Sequence, residues 1–198
     1  MEPEIQIKNL KVAEFASEET LCFQATVYVD GKPFCEASNE GRGGENNFRK
    51  IPRGPQLLED AIRKVGLRIR PDAFETHAEA RKANEASGLT PGKNWNEWEK
   101  AYEEGRVAVT DREAFDHAVD RAVNDALLLR DLKRALKNRI LFTKDGEGGL
   151  FQTKRLSAEQ INMALDDPKF QERLGARVVL NKLDIEEALA LYREHGRR

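Results

Sequence analysis

Three histidines, two cysteines, a glycine-rich loop and a pair of tryptophans are the residues in this chain whose chemistry could be put to use. The histidines, His77, His117 and His195, share no metal-ligand spacing such as H-E-x-x-H. His117 is flanked by Asp116 and Asp120, four residues apart on one predicted helix. One histidine with two exposed acids reads as a polar helix face rather than a metal site. His195 falls in a C-terminal tail. Cys22 and Cys35 lie in one predicted hairpin, turned by Asp30-Gly31. Centring the turn there puts Cys35 opposite Thr26, Cys22 opposite Asn39 and Phe34 opposite Val27. The thiols are then four positions out of register, about 13 Å at ~3.3 Å per residue, too far for a disulfide. Two thiols without a nearby histidine are also a poor zinc set. They read as small, semi-buried residues of a reducing compartment.

Gly41-Arg42-Gly43-Gly44 could turn backbone N–H groups into an anion nest beside Arg42 and Asn46. No G-K-[ST] follows, so a nucleotide site is not expected, and a tight connection after an edge strand is the simpler account. Neither G-x-S-x-G nor a dinucleotide fingerprint occurs. Without an acid–base or nucleophile set the sequence leans against an enzyme, and no metal or cofactor is expected. Trp95, Trp98 and Tyr102 form an aromatic stripe within an acidic stretch that includes Glu97, Glu99, Glu103 and Glu104. Such stripes are mostly core. Exposed, they would anchor a protein partner, because Trp, Tyr and Arg dominate interface hot spots. Trp95, Trp98, Tyr102, Glu99, Glu103 and Glu104 are therefore the candidate protein-binding residues.

The elements that must position these residues follow from the periodicity. Ile5 to Val12 forms a strand. Leu21, Phe23, Ala25, Val27 and Val29 alternate on one face of a second, and a third follows the Asp-Gly turn. A break rich in Gly, Asn and Pro runs from Asn39 to Pro55. Residues 55–65 carry Leu57, Leu58, Ala61, Ile62 and Val65 at helical spacing. Phe74 to Ala86 is helical, stopped by Ser87-Gly88 and Pro91-Gly92, and Asn94 with Glu97 starts the helix of the tryptophans. Thr110 and Glu113 make a capping box for a long helix to about Asn138, roughly 42 Å at 1.5 Å per residue. Its stripe runs from Phe115 through Val119 and Val123 to Leu132 and Leu136. Residues 140–143 and 150–153 flank a glycine-rich turn, Asp145 to Gly149. Ser157 and Gln160 cap a short helix that Pro168 closes. Residues 177–180 read as a strand, and Asp184 starts a final helix with Ile185, Ala188, Leu189 and Tyr192 inward. Strands, helices, strands and helix in that order make an α+β protein. The expected parts are a three-stranded antiparallel meander over 1–54, a helical region over 55–138 and a mixed region over 139–198. They form one compact domain or two closely packed subdomains.

Hydrophobic residues are 39% of the chain and charged ones 34%, enough apolar material for a core in 198 residues and no run long enough for a membrane span. The acidic start, Met1-Glu2-Pro3-Glu4, is unlike a signal peptide and leads us to expect a cytoplasmic protein. A net charge of −2 hides strong segregation. Residues 1–41 carry −5, 42–70 carry +5, 71–129 carry −6, 130–155 carry +5 and 156–198 carry −1. One basic block contains Arg42, Arg49, Lys50 and Arg53, and the other Arg130, Lys133, Arg134 and Lys137. Brought together, they would make a face able to follow a phosphate backbone. Against this, cations in a helix's last turns also complement its dipole, and the overall pI is not that of a dedicated nucleic-acid domain.

The segment Ser17-Glu18-Glu19-Thr20-Leu21-Cys22-Phe23-Gln24-Ala25-Thr26-Val27-Tyr28-Val29-Asp30-Gly31, continued by Ser38-Asn39-Glu40-Gly41-Arg42-Gly43-Gly44, resembles a group of short phage, prophage and mobile-element proteins with no assigned activity. The resemblance covers about the first 50 residues. Relatives in that group often carry His where Arg42 stands here, which weakens a catalytic or metal role for this loop. The resemblance implies a setting, the bacterial host cytoplasm. Small proteins of that setting without enzyme motifs often bind and block host machines, CRISPR effectors and other defence systems among them. The first expectation is therefore a stoichiometric inhibitor of a bacterial host complex. A nucleic-acid-binding accessory protein is the second, and an unrecognised enzyme built around the Arg42 loop and a histidine the third. A second copy of the chain is a further possible partner, and a membrane is not expected.

Overall fold

The computed structural model describes residues 1–89, 100–102 and 104–195, which fall into two compact units, Met1–Val123 and Asn124–Arg198. In the first unit the Asp30-Gly31 turn forms as its sequence demands. Both residues take positive φ, 50° and 74°, the combination a two-residue hairpin turn needs. It joins β2 (Phe23–Val29) to β3 (Lys32–Asn39). β1 (Ile5–Val12) pairs antiparallel with the other edge of β2. The alternating residues Phe23, Ala25, Val27 and Val29 are all buried.

Two expectations for this sheet need correction. It has four strands in the order β1-β2-β3-β4, because Asn47–Lys50 adds as β4 along β3. With a single apolar residue, β4 carries no alternation that could announce it. It is a strand because β3 offers it an unpaired edge, with Ala37 opposite Phe48. The hairpin register also slips. Val29 pairs with Lys32 and Tyr28 with Pro33, as expected, but Val27 then lies opposite Cys35 rather than Phe34. Phe34 is the extra residue of a bulge. The bulge allows consecutive residues, Phe34 and Cys35, both to enter the core. Phe34 packs on Phe115 with ring centroids 5.4 Å apart, and Phe48 meets the same ring at 5.1 Å. Beyond the bulge Asn39 faces Phe23, so Cys22 precedes β2, half-buried, and both thiols are free.

α1 (Leu58–Ile69) buries Ile62, Val65 and Gly66, whereas Leu57, expected inward, sits at the N-cap and is 70% exposed. Gly66 is required by proximity: a Cβ there would lie 1.7 Å from the carbonyl oxygen of Asp111. α2 (His77–Ala86) starts at a capping box of Thr76 and Glu79 and stops before Gly88. Its Asn84 side chain reads the backbone of Ala108, accepting from N at 2.7 Å and donating to O at 2.8 Å. α3 (Asp111–Leu136) opens with the expected Thr110/Glu113 box. Phe115, Val119 and Val123 of its stripe are fully buried. The division between the two units falls within α3.

The second unit holds a three-stranded antiparallel sheet, order β6-β5-β7, formed by Leu141–Lys144 (β5), Glu147–Gln152 (β6) and Ala176–Val179 (β7). The β5–β6 turn is tighter than its glycines suggest. Lys144 pairs with Glu147, so Asp145-Gly146 alone forms the turn and Gly148-Gly149 are strand. α4 (Ala158–Asp166) has the Ser157/Gln160 capping box. α4 stops just before Pro168, as expected, and Pro168 itself begins a further helix that the sequence did not announce, α5 (Pro168–Leu174). Its missing N–H is harmless in a first turn, and Asp167 caps the N–H of Lys169 at 3.0 Å. Asp184 caps α6 (Ile185–His195). Ala188 is buried and Leu189 and Tyr192 are half-buried, but Ile185 is exposed, contrary to expectation. Leu132, Leu141, Leu180 and Ala188 form one core cluster and Ile140, Phe142, Ile161 and Val179 another. The chain is thus α+β, and among the described residues no helix is long and apolar enough to cross a membrane.

Candidate functional site

The glycine-rich loop after β3 is built from the inside. Asn39 Oδ1 accepts from Thr20 Oγ1 at 2.7 Å and from the N–H of Gly41 at 2.9 Å, while its Nδ2 donates to Asn46 Oδ1 at 3.1 Å. The N–H of Gly43 donates to Thr20 Oγ1 at 3.2 Å. Gly41, Gly43 and Gly44 all take positive φ, open to glycine at no steric cost. A Cβ on Gly41 would also strike the carbonyl oxygen of Ala16. Asn46 closes the loop against α3. Its Nδ2 donates to Asp116 Oδ1 at 2.8 Å and Asp120 Oδ1 at 2.7 Å, and its N–H points to Asp116 at 3.3 Å. The N–H groups of Gly41, Gly43 and Asn46 are therefore spent on internal acceptors, which argues against the anion nest.

Asp116 is not the exposed acid expected beside His117; it is 5% exposed. Burial, with Asp120 adding repulsion, pushes its carboxyl up to about 6 despite the donors of Asn46. Burial pushes His117 the other way, towards the neutral imidazole. Its ring meets Tyr102 edge-on, centroids 4.9 Å apart.

The same loop carries Glu45 next to Asn46, and here three segments distant in sequence converge. Glu45, His77 at the start of α2 and Glu113 in the first turn of α3 bring one ligand atom each to within 4.8 Å of one another. His77 Nδ1 is 3.4 Å from Glu113 Oε1. Glu113 Oε2 is held by the N–H of Thr110 at 2.6 Å. Arg112 Nε stands 3.5 Å from Glu45 Oε2 and its Nη1 2.8 Å from Glu59. His77 and Glu113 also line a hollow of about 360 Å³, with Tyr102, Val107, Val109 and His117 on its walls. Sequence reasoning missed this cluster because none of its members share a spacing. The one available signal was Glu113, recognised only as a helix cap.

Of the residues selected from sequence for a protein interface, Trp95, Trp98, Glu99 and Glu103 lie outside the described residues. Tyr102 is 43% exposed, with burial of the rest raising its hydroxyl pKa. Glu104 is engaged by Arg106 at 2.6 Å and Lys100 at 3.9 Å. In the first basic block, Arg42, Arg49, Lys50 and Arg53 are exposed, Arg49 and Lys50 on edge strand β4. In the second, Arg130, Lys133, Arg134 and Lys137 are exposed along α3 and just beyond it. Arg134 there joins Arg139 and Arg155 around a hollow of about 280 Å³, completed by Asp131, Asn138 and Tyr192. Gln152 Oε1 accepts from Arg139 Nη1 at 2.5 Å, which orients that guanidinium.

Compared with family models, with curated proteins and with solved structures, the chain matches none.

Proposed function

We propose that the protein is an accessory protein of a phage or mobile element that acts by binding nucleic acid through its second basic block. The observation that carries this reading is the hollow shared by Arg134, Arg139 and Arg155. Three arginines lining one hollow suit a polyanion, because guanidiniums meet phosphate oxygens bidentately. Among the described residues neither Arg134 nor Arg155 has a carboxylate partner, so no ion pair must break on binding. Tyr192 also lines this hollow, and an aromatic ring there could stack on a base. The test is fluorescence anisotropy with labelled single-stranded DNA, duplex DNA and RNA across a salt series. Arg134→Glu and Arg155→Glu should each weaken binding, and each lost phosphate contact should reduce the salt slope by about 1. Undetectable binding at ~50 mM salt, or a slope that ignores both substitutions, defeats the proposal.

A second reading keeps the protein as a stoichiometric blocker of a basic host surface, such as the nucleic-acid channel of a defence effector. It is favoured by the partial exposure of Tyr102 in an acidic stretch. Trp98→Ala should then cost ~2 kcal/mol or more of partner binding with the fold intact by circular dichroism. If the variant instead melts lower and its folded fraction binds normally, the ring is core and this reading fails.

A further inference from the structure

We propose that Glu45, His77 and Glu113 form a binding site for a transition-metal dication of the zinc class, with a free coordination position towards the hollow beside it. This is independent of the nucleic-acid reading. Each ligand is delivered by an anchored piece of backbone. Glu45 precedes Asn46, which Asp116 and Asp120 hold by backbone and side chain. His77 follows Thr76, the N-cap of a complete capping box. Glu113 has one oxygen fixed by Thr110, which leaves Oε1 to face His77. The capping box thus sets the direction of the carboxylate that would bind the ion.

The distances suit such an ion. A separation of 3.4 Å between Nδ1 and Oε1 is long for a charged hydrogen bond. It is about what two ligands show across a tetrahedral ion with bonds of ~2.1 Å. Glu45 needs only a side-chain rotation to complete the set, since all three ligand atoms already lie within 4.8 Å. Arg112 competes for Glu45, but at 3.5 Å the contact is loose, and Glu59 at 2.8 Å is its closer partner. Glu45 can therefore turn to a cation without leaving Arg112 unpaired.

One imidazole with two carboxylates favours zinc, manganese or iron over magnesium and calcium, which prefer oxygen ligands alone. Three protein ligands leave a position open, the pattern of reactive rather than purely structural zinc sites. His77 and Glu113 belong to the wall of the 360 Å³ hollow, so a water or a small ligand's donor atom in that position has room beside them. The apolar side chains of Val107 and Val109 and the imidazole of His117, kept neutral by burial, would then surround it.

Isothermal titration of the chelator-treated full chain with Zn²⁺ tests the site, with Co²⁺ absorption reporting the ligand types. The expected result is one ion per chain, a Co²⁺ spectrum without thiolate bands and a melting temperature raised by the metal. His77→Ala and Glu45→Gln should each weaken binding by more than ~10-fold, the least that loss of even an outer partner costs. Glu113→Gln keeps a residue able to complete the capping box, so its loss of affinity separates ligation from folding. Cys22→Ser should bind as the parent does. Absence of stoichiometric Zn²⁺ binding overturns the site. So does affinity that survives His77→Ala and Glu113→Gln, or that disappears with Cys22→Ser.

Discussion

Asp116 is the residue whose environment departs furthest from what its neighbours in sequence suggest. Its carboxyl titrates near 6 in the folded protein against an ordinary value of 3.8, because burial and Asp120 both oppose its charge. The folded state therefore takes up a proton that the unfolded state does not between those values. The stabilisation is fully present below about 3.8 and lost as pH rises through 6. Melts of the parent and Asp116→Asn should diverge on acidification from about pH 7 to about pH 4, the parent gaining of order 1–3 kcal/mol relative to the variant. Parallel curves would refute this. Cys35, sealed under the bulge, has its thiol pushed up to about 12 by burial. It should resist thiol reagents until the protein is unfolded, leaving Cys22 as the faster of the two to react. Two equally fast thiols in the native protein would contradict the packing. Phe34→Ala should cost ~3–5 kcal/mol, since it empties the contact with Phe115. A loss below ~1 kcal/mol would place the ring outside the core.

At the scale of elements, the helices that announced themselves did so through their ends. Thr110/Glu113 and Ser157/Gln160 were legible as capping boxes, and both form with reciprocal hydrogen bonds. Thr110→Ala should destabilise by ~1 kcal/mol as a lost cap, and more if the direction of Glu113 also matters for packing. α1 could be read from its apolar spacing, but the reason for its glycine could not. Gly66 lies where the helix meets the backbone at Asp111, and only the tertiary contact reveals it. Gly66→Ala should therefore destabilise by about 2–3 kcal/mol or more by overpacking, although alanine is the better helix former. A stabilised variant in denaturant melts would show that the helix can move away. β4 and α5 were invisible for related reasons. One is a strand only because an edge awaits it, and the other starts at a proline that also signals a stop.

At the scale of the whole molecule, a net charge of −2 says little about how this chain meets a partner. The cations are separated from the anions in blocks, and within the second unit three arginines share one hollow. A polyanion held there should respond to local charge rather than to net charge. Arg134 and Arg155 are exposed, so reversing both should leave the melting temperature within ~1 °C while nucleic-acid affinity falls several-fold and the salt slope drops by about 2. A comparable loss from reversing exposed Lys169 or Lys182, which do not line the hollow, would mean that overall charge and not the arginine cluster governs binding.

The α+β class, the Asp-Gly turn, the buried stripe of β2 and the long α3 were determined by the sequence alone. Each rests on interactions between residues close in the chain: alternation, helical spacing, a cap three residues from its partner. The bulge at Phe34, strand β4, the burial of Asp116 and the meeting of Glu45, His77 and Glu113 were decided by tertiary structure. Those features join residues well separated in the chain, Asn46 and Asp116 by 70 positions, and no local preference encodes them. Asn46 looks like a loop residue until Asp116 is folded against it. His77 looks like an isolated histidine until the loop and two helix starts bring two carboxylates to its side.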